Sequence, residues 1–495
     1  MRSTMGMASS IADLGGRVPF DPATGPWGPI EEPSLQEYSS PLPFEPPTSG
    51  NLTDAVWTNE ADFPDAVLFS RRTPQGWIDV TSRQFAEEVR KVAAGLVASG
   101  VQLGDRVGLM SKTRYEWTLC DYAIWTAGGV TVPIYETSSA EQVQWILSDS
   151  GAVAVIVESS AHSKIVAEVS DSVPSLQHVW AIDELGVDAL KAAGQAVTRE
   201  HLDERHDALG LDTLATIIYT SGTTGRPKGC ELTHGNFMSD LASTHHFLEE
   251  FFNAQGSTLL FLPLAHVFAR LIQVGCVKNR ARMGHTADVK NLLPDLAVFK
   301  PTFILSVPRV FEKVYNASKQ KAHADGKGAI FDRAEAVAVE YSQALDTGKV
   351  GLALKAQHAL FDKLVYSKLR AALGGQVRHA VSGGAPLGAR LGHFFRGIGV
   401  LVCEGYGLTE TSAGATLNAP GHVKIGTVGR AIPGTAVRIA DDGEILLKGG
   451  NVFQGYYNNP SATAEAMSDG GWFHTGDIGE IDVDGFLKIT GRKKE

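Results

Sequence analysis

The stretch Tyr219–Gly229, YTSGTTGRPKG, is the most informative part of the sequence. It continues the apolar, β-branched run ATIIY, so the loop is expected to leave a strand. Glycines let backbone N–H groups converge on an anion, and the hydroxyls add donors without bulk. The sequence predicts a phosphate-binding loop and disfavours a ligand-free surface loop. The candidate contacts are Thr220, Ser221, Gly222, Thr223, Thr224, Gly225 and Lys228.

This loop differs from the P-loop of nucleoside triphosphatases. That motif needs four residues between its glycines and a Ser or Thr after its lysine. Here Gly222 and Gly225 are too close, and Gly229 follows Lys228. Lys228 still supplies a point charge for a phosphate. A kinase or GTPase function is therefore excluded.

Short apolar runs alternate with helical patterns on both sides of the loop, which predicts an α/β fold with parallel sheets. Ligands of open α/β sheets bind at the carboxyl ends of the strands, so those ends are the expected site. The predicted strands are Arg106–Ser111, Val130–Tyr135, Val153–Glu158, Ser257–Pro263, Thr302–Pro308, Val377–Gly384 and Val400–Gly407.

Three other segments have different patterns. Residues 1–48 are rich in Pro and Gly, which predicts a poorly ordered tail or an extended arm. Residues 316–372 are predicted to be helical, and a solvated face explains their lysines better than a phosphate or a membrane. A hairpin pattern at Ala436–Gly449 and a strand at Phe486–Thr490 predict a small β unit. The expected divisions are 1–48, 49–425, 426–489 and 490–495.

The composition excludes several classes of protein. A net charge of -11 and a pI of about 5.8 argue against a nucleic-acid partner. Four widely spaced cysteines form no C-x-x-C pair, which argues against a zinc site and a disulfide framework. Neither a signal peptide nor an apolar span of membrane length is visible, so a cytoplasmic protein is expected. Peripheral contact with a membrane and the oligomeric state stay open.

Six more motifs follow one another along the chain. Together with the loop at Tyr219, they resemble the adenylate-forming superfamily, over roughly residues 50–495. The resemblance implies that family's large N-terminal domain, with two α/β subdomains of mostly parallel sheets and a small β subdomain. The motifs are LPLAHVFAR (Leu262–Arg270), VSGGAPL (Val381–Leu387), EGYGLTETS (Glu404–Ser412), GEILLKGGNVFQGYYN (Gly443–Asn458), WFHTGDIG (Trp472–Gly479) and GRKKE (Gly491–Glu495).

The resemblance also assigns roles to individual residues. An aromatic side chain such as Tyr406 can stack on a purine, and a carboxylate such as Glu410 suits Mg²⁺. The adenine and phosphate contacts would be Gly383, Gly384, Ala385, Pro386, Glu404, Gly405, Tyr406, Gly407 and Thr409, and the ribose contacts Asp477 and Arg492. The metal ligands would be Thr220 and Glu410. The catalytic residues would be Lys228, Thr409 and Glu410, and His266 would gate or line the acyl path. Lys494 would be the hinge residue.

The implied activity is ATP-dependent activation of a fatty acid to acyl-AMP and then to acyl-CoA, with ATP, Mg²⁺ and coenzyme A. Resemblance at Val307–Tyr315, Val365–Leu387 and Gly470–Glu495 favours a long-chain acid. Two alternatives stay open. One is a fatty acyl-AMP ligase that serves a carrier protein, and the other is an inactive nucleotide-binding regulatory protein.

The sequence ends at Glu495, inside the motif that resembles the hinge. Members of the superfamily continue into a small C-terminal domain that completes both half-reactions. The resemblance therefore leads us to expect a trimmed chain, which binds ATP or acyl-AMP but is impaired in both half-reactions.

Overall fold

The computed structural model describes residues 34–220, 226–288 and 290–493. Its first large sheet has seven strands, and the five that run from Leu214–Thr220 to His178–Ala181 are parallel. Lys228–Thr233 returns antiparallel beside Leu214–Thr220, so Lys228 lies opposite Thr220. In spatial order the strands are Gly455–Tyr456, Lys228–Thr233, Leu214–Thr220, Val130–Ile134, Arg106–Met110, Ala154–Val157 and His178–Ala181.

The second α/β part contains two groups of strands, each with a parallel core and antiparallel additions. The first group is Ser257–Leu260, Arg282–His285, Val67–Thr73 and Gly76–Thr81. The second is Phe303–Ser306, His379–Ser382, Leu401–Tyr406, Thr416–Leu417 and Arg430–Ala431. This arrangement of helices and mostly parallel strands confirms the predicted fold class.

The third sheet is antiparallel and contains the predicted hairpin. Its path is Ser34–Leu35, Trp472–Asp482, Glu444–Gly449, Thr435–Ile439 and Glu37–Ser39, and Met467–Ser468 and Leu487–Arg492 also pair with Trp472–Asp482. Of the two alternatives predicted for residues 1–48, a poorly ordered tail or an extended arm, the structure bears out the second for residues 34–39. They form an extended arm, because backbone pairing with Trp472–Asp482 and Thr435–Ile439 holds them in place. Residues 1–33 lie outside the described residues.

Helices cover both faces of the large sheets. The helix Tyr115–Thr126 is buried at every position, which suits its apolar composition all round. The helices are Asp54–Asp62, Ser82–Ala98, Tyr115–Thr126, Ala140–Ser150, Ser160–Val169, Gly186–Ala193, Arg199–Asp207, His234–Leu248, Val267–Asn279, Leu292–Phe299, Pro308–Ala324, Gly328–Asp346, Leu352–Phe361, Ser367–Ala372, Ala389–Gly397 and Pro460–Ala466.

A buried ion pair fixes the strand that leads into the phosphate loop. Arg270 and Asp121 are both fully buried, with Nη2 and Oδ1 2.5 Å apart. Arg270 Nη1 also donates to Thr216 Oγ1, at 2.6 Å. Two helices and the strand Leu214–Thr220 are therefore joined by one guanidinium, whose removal would leave an uncompensated buried carboxylate.

The seven predicted strands of the α/β part are found with shorter ends, and residues 316–372 are mostly helical as expected, in several helices joined by short turns. The four cysteines are free and buried. The range 426–489 does not form one sheet, since Gly455–Tyr456 pairs with Lys228–Thr233 of the first large sheet. No helix among the described residues is long and apolar enough to span a bilayer.

Candidate active site

The predicted phosphate end of the candidate site lies where two antiparallel strands of the first sheet meet. Thr220 ends one strand and Lys228 begins the next. The Lys228 ammonium lies 4.9 Å from the ring centre of Tyr456, whose own strand borders Lys228–Thr233. Arg226, two residues earlier, instead lies 4.8 Å over the Trp145 ring. Of these two cations, Lys228 therefore lies beside Tyr456 at the candidate site, and Arg226 does not. Ser221–Gly225 lie outside the described residues.

Glu410 joins this end of the site through a residue that the sequence analysis did not select. The Tyr456 hydroxyl donates to Glu410 Oε1 at 2.7 Å. Desolvation and the Glu410 carboxylate raise the pKa of Tyr456, so the hydroxyl stays a donor. The same two causes raise the pKa of the Cys230 thiol, which lies 3.8 Å from Thr220 Oγ1. Thr220 and Glu410 therefore both lie near the Cys230 thiol.

The turn that carries Glu410 is held under strain. Ser412 and Ala413 follow it with φ angles of 58° and 106°, a region that side chains other than Gly rarely adopt. The Asn451 amide donates to the carbonyls of Thr411 and Gly414, and Ser412 Oγ donates to the Asn451 carbonyl. These bonds fix a backbone that would otherwise relax, as is common at functional sites.

The ribose end pairs the residues that the resemblance named. The Tyr406 hydroxyl donates to Asp477 Oδ2 at 2.6 Å, and Arg492 Nε lies 3.1 Å from Asp477 Oδ1. Desolvation and the Asp477 carboxylate raise the pKa of Tyr406 well above its usual value. Asp477 and Arg492 also face each other across neighbouring strands. One buried carboxylate thus has two donors in the ligand-free protein.

A second buried carboxylate, Glu444, fixes the loop before Asp477, and its pattern in the sequence was not distinctive. It accepts hydrogen bonds from His474 Nδ1 at 2.9 Å, the Gly476 backbone at 2.9 Å and Lys493 Nζ at 2.8 Å. Although burial opposes ionisation, these donors lower the pKa of Glu444. Glu444 therefore connects the motif Trp472–Gly479 to Lys493, near the start of the motif that resembles the hinge. Lys494 lies outside the described residues.

The predicted adenine segments are neighbours. Glu404 and Ser382 are partners on adjacent strands, and Glu404 Oε1 accepts from the Leu387 backbone at 2.9 Å. Gly384 lies in the loop between Ser382 and Leu387, and its φ of +80° favours glycine. Burial raises the pKa of Glu404, although the Leu387 N–H stabilises its charged form. The loop with Ala385 and Pro386 is therefore anchored at Leu387.

An apolar cavity of about 280 Å³ lies between these parts. Tyr406, Gly407 and Leu408 line it on the way from the ribose end to the turn of Thr409 and Glu410. His266 begins the helix Val267–Asn279 at the exposed edge of the cavity, and its Nδ1 accepts from the Phe268 backbone at 3.3 Å. Other walls are Leu248, Leu262, Leu271, Ile272, Val307, Gly383, Gly384, Gly405, Leu417 and Ile432.

A buried acid, Asp240, lies behind the cavity wall. The Gly414 backbone and Thr244 Oγ1 each donate to it at 2.8 Å, and both residues line the cavity. Burial, which these two bonds only partly offset, raises the pKa of Asp240 from 3.8 to about 8. The wall therefore presents a neutral carboxyl group below that pH.

The free energy of unfolding should fall as the pH rises from about 4 to about 8. The folded protein holds the Asp240 proton between about pH 4 and pH 8 and the unfolded chain does not, so deprotonation favours unfolding. Asp240→Asn is expected to flatten this fall in the free energy of unfolding, measured by urea titration across the window. Asp469→Asn, an exposed control, should keep the slope. An unchanged slope in Asp240→Asn would contradict the assignment.

Comparison with known proteins agrees with this geometry. The model of the AMP-binding enzyme family matches residues 56–457. The long-chain-fatty-acid–CoA ligase FadD15 of Mycobacterium bovis is 53% identical over 464 residues, 93% of this chain and 77% of that protein. Human long-chain-fatty-acid–CoA ligase 1 is 30% identical over 457 residues, which cover 86% and 64% of the two chains.

Solved structures show the same fold. The inhibitor-bound N-terminal domain of FACL13 from Mycobacterium tuberculosis superposes with a TM-score of 0.69 at 24% identity, over 90% of this chain and all of that one (100%). The family match includes the loop at Tyr219, the cavity, Glu410 and Tyr456. The chain belongs to the AMP-binding enzyme family.

Proposed function

We propose that this protein activates a long-chain fatty acid with ATP to an acyl adenylate and then transfers the acyl group to coenzyme A. One observation carries the proposal. The segment Tyr406–Glu410 runs from the carboxylate of Asp477, along the apolar cavity, to the cluster of Lys228 and Tyr456. Groups suited to a ribose, to phosphates and to an acyl chain therefore meet along one segment, as the three linked parts of an acyl adenylate require.

The first step joins the acid to the α-phosphate. A carboxylate oxygen attacks the α-phosphorus, the bond to the bridging oxygen breaks, and pyrophosphate leaves with the electron pair. Negative charge grows on the leaving group, so fixed donors and a cation lower the barrier. Lys228 supplies the cation, and Thr409 and Thr220 supply hydroxyl donors. No covalent enzyme intermediate is needed, and the buried cysteines do not act as nucleophiles.

The second step uses AMP as the leaving group. The thiol sulfur of coenzyme A attacks the acyl carbon, the bond between the acyl carbon and the adenylate oxygen breaks, and the thiol proton is released. The apolar cavity keeps the acyl chain away from water, which limits hydrolysis of the mixed anhydride. We assign His266 to the exposed edge of this path, as a lining residue.

Mg²⁺ fits the oxygen groups at the phosphate end. Glu410 and Thr220 offer hard oxygens that both lie near Cys230, and the described residues contain no cluster of three or more His, Cys, Asp or Glu that could form a complete cage. Mg²⁺ usually takes one or two protein oxygens and completes its shell with phosphates and water. When bound with ATP there, it would neutralise phosphate charge.

The long-chain substrate rests on the apolar walls and on the names of the relatives, which are long-chain-fatty-acid–CoA ligases. We expect a non-hydrolysable palmitoyl-adenylate analogue to bind more tightly than its acetyl counterpart, and palmitate to release more pyrophosphate from ATP than acetate does. Calorimetry and a pyrophosphate assay measure these two quantities. Equal or better binding and turnover with the acetyl forms would overturn the long-chain assignment.

The phosphate loop provides a matched pair of variants for the same assays. Lys228→Met keeps an apolar stem against Tyr456 but removes the charge, and should weaken binding of both analogues. Arg226→Met removes the other cation of the loop, which lies against Trp145 instead, and should leave binding nearly unchanged. Appearance of acyl-CoA after coenzyme A is added separates a CoA ligase from an enzyme that stops at acyl-AMP for a carrier protein.

A further inference from the structure

The outermost helical layer carries an exposed row of leucines. Leu352, Leu360 and Leu364 have 85%, 55% and 47% of their surface in contact with solvent. They lie in Leu352–Phe361 and in the π-helical turn Asp362–Tyr366 that continues it. Exposed leucines occur singly on most surfaces, whereas a contiguous apolar row marks a surface that binds something.

The row follows the helical repeat. Leu352, Ala356, Leu360 and Leu364 are each four residues apart, so they form one stripe along the helix. The opposite face packs inward, where His358 stacks on Tyr341 at 3.8 Å and its Nε2 donates to the Gly397 carbonyl. Phe361 and Val365, both partly buried, pack against the core, so the leucine stripe is additional to the side that packs inward.

Lysines flank the leucine stripe. Residues 347–372 contain Lys349, Lys355, Lys363, Lys368 and Arg370 but only one acid, Asp362, in a chain with 44 Lys and Arg and 55 Asp and Glu. Asp362 is paired with Arg370 at 2.7 Å. In the part of the chain that the structure describes, the four lysines form no ion pair. Lys355 and Lys363 lie about 60° from the stripe on the helix.

A groove next to the stripe has the same composition. It encloses about 470 Å³, and Ile330, Leu364, Val365 and Leu369 are among its apolar walls. Lys321, Lys327 and Lys368 stand around it, with Asp325 as its acidic member. Ile330 is itself 48% exposed. Apolar surface ringed by flexible ammonium groups matches the boundary between acyl chains and anionic headgroups.

We propose that this leucine stripe and its lysines form a docking surface for an anionic lipid membrane. The leucines enter the headgroup region, and the lysines contact lipid phosphates. The surface lies apart from the active site and does not depend on the reaction proposed above. The helix Pro308–Ala324 connects the two: Val307, just before it, lines the acyl cavity, and Ala322 lines the groove about 22 Å further along the helix.

Charge favours a membrane over a second copy of this chain. A two-fold symmetric dimer through the stripe would place the lysine rows of both copies close together, with one Asp in each segment to offset them. Like charges that meet in an interface are unfavourable. An anionic bilayer offers negative charge next to apolar chains, which complements both features of the surface.

Sedimentation of the 495-residue protein with vesicles, without ATP or acid, tests the proposal. Binding to phosphatidylglycerol–phosphatidylcholine vesicles should exceed binding to phosphatidylcholine alone. The triple variant Leu352→Ser, Leu360→Ser, Leu364→Ser should lower partitioning by at least about tenfold, because each leucine contributes apolar transfer energy. The double variant Lys355→Glu, Lys363→Glu should lower it about tenfold on anionic vesicles.

Matched controls use exposed residues elsewhere. Leu185→Ser, at 69% exposure, and Lys164→Glu should keep vesicle binding unchanged. Circular dichroism must show the same unfolding temperature for every variant that is compared. Equal binding of the triple variant and the wild type would overturn the proposal, as would binding that ignores lipid charge. A concentration-dependent dimer that the leucine variant abolishes would assign the surface to a second copy instead.

Discussion

Asp477→Ala is expected to weaken AMP binding about a hundredfold, since two hydrogen bonds from ribose hydroxyls to a carboxylate are lost. The carboxylate is buried at 5% exposure and already accepts from Tyr406 and Arg492, so its orientation is fixed before the ligand arrives. Preorganised acceptors lose little entropy on binding, so most of their hydrogen-bond energy contributes to affinity. Calorimetric titration with AMP measures the change.

The ribose itself supplies the control for this prediction. Removing both ribose hydroxyls should cost the wild type a similar factor, whereas Asp477→Ala should bind AMP and 2′,3′-dideoxy-AMP equally. Glu480→Gln lies on the same strand, with its exposed carboxylate paired to Lys488, and should bind AMP normally. If Asp477→Ala still distinguishes the two nucleotides, Asp477 is not the ribose acceptor.

The parallel strands and the hairpin could be predicted from sequence because their signals are local. Apolar runs such as Val153–Glu158 and the turn at Asp442–Gly443 determine a strand and a hairpin wherever they occur. The pairing of residues 34–39 could not be predicted in this way, although an extended arm was one of the two alternatives. Its two strands are only two and three residues long, and their partners begin about 400 residues later in the chain. Such pairing leaves no periodic pattern in the arm.

In the site, too, residues with a local sequence signal could be selected in advance, whereas residues that only folding brings together could not. Lys228, Glu410 and Asp477 belong to dense motifs that resemble those of the superfamily, so the sequence selected them as candidates. Tyr456 lies in a motif that gave no chemical reason to select it, and only folding brings its hydroxyl 2.7 Å from Glu410. Asp240 was missed because a single acid in a helix is usually solvated. Its burial and raised pKa follow from packing against Gly414, 174 residues away.

Glu410→Gln is expected to slow pyrophosphate formation by about two to three orders of magnitude, the cost typical of removing one charge-stabilising group from an active site. Glutamine preserves the side-chain size and an oxygen that can accept from Tyr456, so packing should survive. The loss comes from the missing negative charge, which the proposed Mg²⁺ site needs. A pyrophosphate-release assay with ATP, Mg²⁺ and palmitate measures the rate.

Magnesium dependence separates a metal ligand from a structural residue. Wild-type ATP affinity should rise when Mg²⁺ replaces a chelator, and Glu410→Gln should lose that gain while it still binds AMP. Tyr456→Phe, which removes only the hydrogen bond to Glu410, should keep the gain at a rate reduced several-fold. Glu231→Gln, on the strand beside the site, should behave like the wild type. A Glu410→Gln protein that retains the full Mg²⁺ gain would show that the carboxylate positions the turn and does not hold the metal.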